Sequence, residues 1–192
     1  MPAFAVQDAD FEASVRRSFD SLTLMRTVGA RLQNVAPGEV EIDLPFRDDL
    51  TQHHGYVAAA VLTAIVDVAC GYAAMTLMPP GASVLTIEYK VNFLSPAQGE
   101  RMVARGRVVR PGRTVSVCSG DVVAITGDNE KIVATMLSTM ATVGRTREDV
   151  PDRQRNVTSA RGRAAGSHDR KGSTRNRWCI CGAVRRRFTA LA

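Results

Sequence analysis

The chain is poor in the residues that announce familiar chemistry. Its 192 residues hold three histidines, four cysteines and one tryptophan. No G-x-S-x-G nucleophile elbow, H-E-x-x-H metal helix, phosphate loop or dinucleotide fingerprint occurs, which removes several large enzyme classes at once. The cysteines do not form a disulfide framework: Cys70 falls in an apolar helical stretch and Cys118 in a strand pattern, where a free thiol packs as a small hydrophobe. Cys179 and Cys181 make a lone C-x-C, without the second ligand pair of a structural zinc site, and His168 is the nearest imidazole. No metal and no cofactor are expected.

Charge is missing from one long stretch. Between Gly55 and Met78 the sequence GYVAAAVLTAIVDVACGYAAMTLM carries a single charged residue, Asp67, near its middle. A helix apolar on every side belongs in a membrane or in the centre of a globular core. The membrane alternative costs roughly 2.5–3.5 kcal/mol for an Asp near the midpoint, and Ala, Gly and Thr neighbours return little of it. The first ten residues carry two Asp, no basic side chain and no apolar core, so no secretory leader is read there. A cytoplasmic, non-membrane protein is expected, with Asp67 in need of a partner, a proton or a task.

The net charge of +6 is unevenly spread. Residues 145–192 hold 13 Lys/Arg against 4 Asp/Glu, whereas residues 1–144 hold 12 against 15. The basic character therefore belongs to the C-terminal segment, and nothing in the body points to nucleic acid. From about Arg145 hydrophobic periodicity stops, so residues 145–192 are expected to be a disordered basic tail. Arginines without patterned aromatics are a weak nucleic-acid signal, and such a partner is not expected. The division is a lead-in over 1–26, a body over 27–144 and the tail.

Periodicity assigns the body to an α+β class. Phe11, Val15, Phe19 and Leu22 share one face of a helix over 8–24. Val40, Ile42 and Leu44 alternate with Glu39, Glu41 and Asp43 after a Pro37-Gly38 turn, giving a hairpin. The apolar helix follows and ends at Pro79-Pro80-Gly81. In Val84–Leu94 the residues Leu85, Ile87, Tyr89, Val91 and Phe93 are expected on one strand face, and Thr86, Glu88, Lys90 and Asn92 on the other. Three more strands, over 101–109, 114–125 and 131–143, complete an expected four-strand antiparallel meander. About six strands thus curl round one central helix.

Tyr56–Ala74, VLTIEYKVNFLSPAQGE over Val84–Glu100 and the Gly112-Arg113 turn together resemble acyl-CoA thioesterases of the 4-hydroxybenzoyl-CoA thioesterase superfamily. The phenylacetic-acid-pathway branch is the most similar, and the likeness covers about residues 20–143. The resemblance implies the hotdog fold, an acyl-CoA substrate, and a homodimer or dimer of dimers whose sheets join edge to edge with active sites between protomers. Carried over residue by residue, it makes Asp67 the nucleophile or general base and Gln52 the group that holds substrate or water. Ala59 then supplies the backbone N–H that polarises the thioester carbonyl. Ala58 and Ala60 stand where the family has His and Gly beside the substrate. Asn92 and Arg113 are further substrate-binding candidates, and Arg105, Arg107 and Arg110 could meet coenzyme A phosphates. The departures at 58 and 60 keep open a second expectation, a non-catalytic acyl-CoA-binding module. A third is an interaction protein with a basic tail.

Overall fold

The computed structural model describes residues 4–144; the expected tail over 145–192 lies outside the described residues. Two short helices, α1 (Phe11–Ser21) and α2 (Thr23–Val28), precede the strands β1 (Arg31–Ala36) and β2 (Glu39–Pro45). The long helix α3 (Ala59–Met75) follows, then β3 (Ser83–Phe93), β4 (Arg101–Arg110), β5 (Val115–Thr126) and β6 (Asn129–Val143). The single N-terminal helix expected over 8–24 is interrupted at Leu22, whose extended backbone (φ −78°, ψ 98°) starts a second helix. Among the described residues, no helix is long and apolar enough to cross a membrane.

All six strands pair antiparallel in the order β1-β2-β4-β5-β6-β3. Only β4, β5 and β6 form the expected meander; β3 sits at the far edge beside β6, and β4 pairs with β2. The Pro96–Gly99 segment is therefore a crossover rather than a hairpin turn. It is pinned by the Leu94 N–H on Val133 O (2.8 Å) and the Glu100 N–H on Ile125 O (2.8 Å). Inserting β4 between β2 and β5 makes one sheet of both strand groups, and α3 packs across its inner face. Leu62, Ile65, Val66, Ala69, Cys70, Ala73 and Ala74 are buried there.

Two strand glycines set how closely α3 lies on the sheet. A Cβ on Gly106 would come within 2.3 Å of the Ala69 carbonyl carbon, and one on Gly120 within 2.6 Å of Val66 Cγ2. Neither position tolerates a side chain without displacement, so these glycines serve close helix–sheet approach.

The outer sheet face carries a charge ladder. Arg101 pairs with the buried Asp43 (2.9 Å), Arg105 bridges Glu41 (3.1 Å) and Glu130 (2.8 Å), and Arg107 meets Asp121 (3.1 Å). Arg105 and Arg107 thus pair with carboxylates across the ladder.

Register also corrects the side-chain phase of β3. Thr86 pairs with Met140, but Glu88 pairs with Thr139, so Ile87 is the extra residue of a β-bulge. Directly opposed residues share a sheet face. Thr86, opposite the buried Met140, therefore faces inward, as do Tyr89, Val91 and Phe93 opposite Ser138, Met136 and Ala134. Leu85, opposite Ala141, points outward. The expected face Leu85–Ile87–Tyr89 is broken at the bulge.

Candidate active site

Asp67 lies near the middle of α3, half-buried, on a turn otherwise apolar. Burial pushes its carboxyl above the ordinary carboxylate range, and a hydrogen bond from Thr86 opposes that shift. The Thr86 hydroxyl donates to Asp67 Oδ1 at 2.9 Å. Asp67 Oδ2 has no hydrogen-bond partner among the described residues. One carboxylate oxygen is thus held and the other left open, on a group whose charged form is only partly solvated.

Thr86 is the residue of this candidate site that sequence reasoning missed. It reaches Asp67 because the bulge at Ile87 keeps Thr86 inward while Tyr89, Val91 and Phe93 also face inward. Strict alternation places it outside, and no residue in the strand marks a bulge. The one available signal was a hydroxyl side chain in an otherwise apolar run opening a strand.

At the other end of the helix, Ala58 has an extended backbone (φ −63°, ψ 139°) and no side-chain cap. Its N–H donates to Leu50 O (2.9 Å), and its carbonyl accepts from Val61 (3.0 Å) and Leu62 (3.2 Å). The amides of Ala59 and Ala60 have no acceptor among the described residues, as the first turn of a helix requires. Both residues are exposed. An uncapped helix start with open amides stabilises a developing negative charge placed against it.

Gln52 stands in the tight loop before this helix. Its N–H donates to Tyr56 O (2.8 Å), its carbonyl accepts from Gly55 (2.9 Å), and its side-chain oxygen accepts from the His54 N–H. Gln52 and Ala59 line one cleft of about 390 Å³ together with Tyr56, Leu62, Phe93 and Pro96. The ring centroids of His53 and His54 lie 3.9 Å apart, tilted by 46°, on the exposed loop, and neither ring lines it.

Of the expected site residues, Gln52 and Ala59 are therefore brought together, with Ala58 and Ala60 on either side of Ala59. Asp67 is eight residues further along α3, about 12 Å from Ala59 at the helical rise. Asn92 is exposed on the outer face of β3 opposite Thr135, so its inward-facing neighbour Phe93, and not Asn92, borders the cleft. Arg113 borders a different cleft, also about 390 Å³, beside Ala74, Leu77 and Thr142 at the C-terminal end of α3. Cys70, one turn beyond Asp67, and Cys118 are buried thiols pushed up to about 12, so neither is a nucleophile.

Comparison with known proteins identifies the family. A thioesterase superfamily profile matches residues 54–131, which hold Asp67, Thr86 and Ala59. A protein of Halobacterium salinarum, provisionally named an esterase, is 34% identical over 131 residues, covering 64% of this chain and 86% of that protein. The crystal structure of a thioesterase family protein from Silicibacter pomeroyi is similar at 44% identity and a TM-score of 0.68, covering 69% of this chain and 98% of that one. The Escherichia coli PaaI protein from the phenylacetic acid degradation operon shares the fold at 16% identity (TM-score 0.65), covering 73% of this chain and 98% of that one. The chain belongs to the thioesterase superfamily.

Proposed function

We propose that the protein hydrolyses acyl-CoA thioesters to a free carboxylic acid and coenzyme A. The observation that carries this reading is Asp67: a half-buried carboxylate in an apolar helix, held at Oδ1 by Thr86, with Oδ2 open. In the reaction Oδ2 attacks the thioester carbonyl carbon, or takes a proton from a water that does so. The carbonyl oxygen becomes an oxyanion beside the N–H of Ala59, and collapse breaks the carbon–sulfur bond. The coenzyme A thiolate leaves and takes up a proton; where Asp67 is acylated, water then releases the acid. Gln52 orients the substrate or the water.

The 12 Å between Asp67 and Ala59 bears on assembly. An oxyanion donor must lie about 3 Å from the reacting oxygen, which one chain cannot arrange for both groups. The reading therefore pairs Asp67 of one protomer with Ala59 and Gln52 of another. The edge strand β3 supports this, since Leu85, Ile87 and Tyr89 are exposed there and an unpaired strand edge is a template for a second copy. We infer a homodimer, or a dimer of such dimers.

Tyr56 and Phe93 in the Ala59 cleft favour an aromatic acyl group, in keeping with the phenylacetic-acid-pathway branch. A thiol-release assay across short, long and aromatic acyl-CoAs tests the proposal. Asp67→Asn should lower turnover at least about tenfold, the low side of general-base effects. Parental turnover by a folded Asp67→Asn protein would refute the mechanism. The second reading, acyl-CoA binding without hydrolysis, rests on Ala58 and Ala60 replacing His and Gly. Binding with no thiol release in the parent, and no gain from Ala58→His with Ala60→Gly, would establish it instead.

A further inference from the structure

We infer that the cleft between α1, α2 and β1 binds a nucleoside diphosphate, at a site separate from Asp67. Residues 1–144 carry 12 Lys/Arg against 15 Asp/Glu, so a local excess of arginine there is not a by-product of a basic body. Yet Arg16, Arg26 and Arg31 line one cleft of about 360 Å³, with Asp20 as the only acidic group. That volume falls within the range of small-ligand sites.

The guanidinium groups are positioned but far from saturated. Arg16 is ion-paired with Glu12 through both Nε (2.9 Å) and Nη2 (2.8 Å), Arg26 donates to Thr23 Oγ1 (3.3 Å), and Arg31 has no side-chain partner among the described residues. Each guanidinium offers five N–H donors, so most remain available. Glu12 pairs with Arg16 and Asp20 borders the cleft, so two carboxylates offset the three arginines and one positive charge is left in excess, centred on Arg26 and Arg31. A diphosphate removes the excess and matches the planar, paired donors of arginine.

Asp20 and the floor narrow the ligand. A carboxylate repels a phosphate but accepts two hydrogen bonds from a ribose 2′,3′-diol. Half-buried Leu32, with the exposed rim of the buried Phe19, gives an apolar floor for a base. Coenzyme A carries a phosphate on its ribose 3′ oxygen and lacks that diol, so the cleft should prefer ADP to it. Location also separates the two sites. β1 and β3 are opposite edges of the sheet, five strand spacings or about 24 Å apart.

The test is calorimetric titration of the full chain with ADP, adenosine 3′,5′-bisphosphate and inorganic diphosphate, which needs no turnover and is indifferent to the role of Asp67. ADP should bind, and equally well to Asp67→Asn. Arg26→Ala with Arg31→Ala should weaken it at least about tenfold, as loss of charge-assisted hydrogen bonds does. Arg16→Gln, on a different helix, should weaken it independently. Asp20→Asn should erase the preference for ADP over the 3′-phosphorylated nucleotide. The inference is overturned by absence of ADP binding, by unchanged affinity in the folded arginine variants, or by inorganic diphosphate binding as tightly as ADP.

Discussion

The Thr86 hydroxyl donates to Asp67 Oδ1 at 2.9 Å, tying the edge strand β3 to the middle of the central helix. Two opposed effects meet in this contact. Burial raises the Asp67 carboxyl by disfavouring its charged form, and the hydrogen bond lowers it by favouring that form. Burial is the larger, so the group stays above its ordinary value.

Removing the hydroxyl should therefore shift a titration and not merely an activity. In Thr86→Val the shape of the residue is kept, the opposing hydrogen bond is lost, and the Asp67 carboxyl rises further. The acid limb of kcat/KM against pH should move to higher pH, with a lower plateau as Oδ1 is no longer held. Thr86→Ser should restore both. An acid limb that stays in place in Thr86→Val would show that the contact does not govern the reacting group.

The same shift predicts a stability effect with a definite sign. The folded-state pKa of Asp67 lies above the unfolded value of 3.8, so within that window the folded chain binds more protons than the unfolded one. The favourable contribution of a neutral Asp67 is complete below 3.8 and is lost as pH rises through the folded-state value. Asp67→Asn keeps the neutral form at every pH and can still accept from Thr86. Its Tm should exceed the parent's at pH 7, and the difference should vanish near pH 3. A variant less stable than the parent at pH 7 would mean that the ionised carboxylate has a partner stronger than Thr86.

Much of this arrangement was legible in the sequence, and the missing parts share a cause. The apolar helix around Asp67 and the hairpin at Pro37-Gly38 follow from local composition and period. Strand order does not: whether β4 lies beside β3 or β2 is decided by how the sheet closes over α3, a property of the whole core. The bulge at Ile87 is equally non-local, since it arises from the pairing of β3 with β6 and leaves no residue signal. Hence Thr86 was expected on the face of Glu88, Lys90 and Asn92, and it lies on the other one. Gln52 and Ala59, named through the family resemblance, line one cleft because both belong to one short loop-to-helix segment.

Close helix–sheet contact at Gly106 should be as important to the site as any polar group. A Cβ there would lie 2.3 Å from the Ala69 carbonyl carbon and 2.5 Å from both Ala69 O and Cys70 N, all backbone atoms that move only with the helix. Gly106→Ala should cost about 2 kcal/mol or more, near the upper range of overpacking. At Gly120 an added Cβ meets the Val66 and Cys70 side chains, which can rotate, so Gly120→Ala should cost less. Thermal melts of the two variants rank them. Activity in Gly106→Ala should fall more than stability explains, since Asp67 is displaced from Thr86. Equal Tm values for the two variants would show that α3 is not held by this contact.

The shared-site reading can be tested by a substitution that the helix start tolerates. Ala59 is the first helical residue, a position where proline is accommodated because its N–H has no intrahelical acceptor. Ala58 already has the extended backbone that a following proline demands. Ala59→Pro should thus fold normally while deleting the proposed oxyanion donor, at a cost of about 100- to 1,000-fold in kcat. Asp67→Asn should be inactive for the other half of the site. If each site takes Asp67 from one protomer and Ala59 from its partner, unfolding and refolding the two inactive variants together forms mixed dimers with one intact site each. Half of the dimers are mixed, so about a quarter of parental turnover should return. If both groups act within one chain, no pairing of the variants restores anything. An inactive mixture in which mixed dimers are demonstrated by native mass spectrometry would therefore reject the shared site.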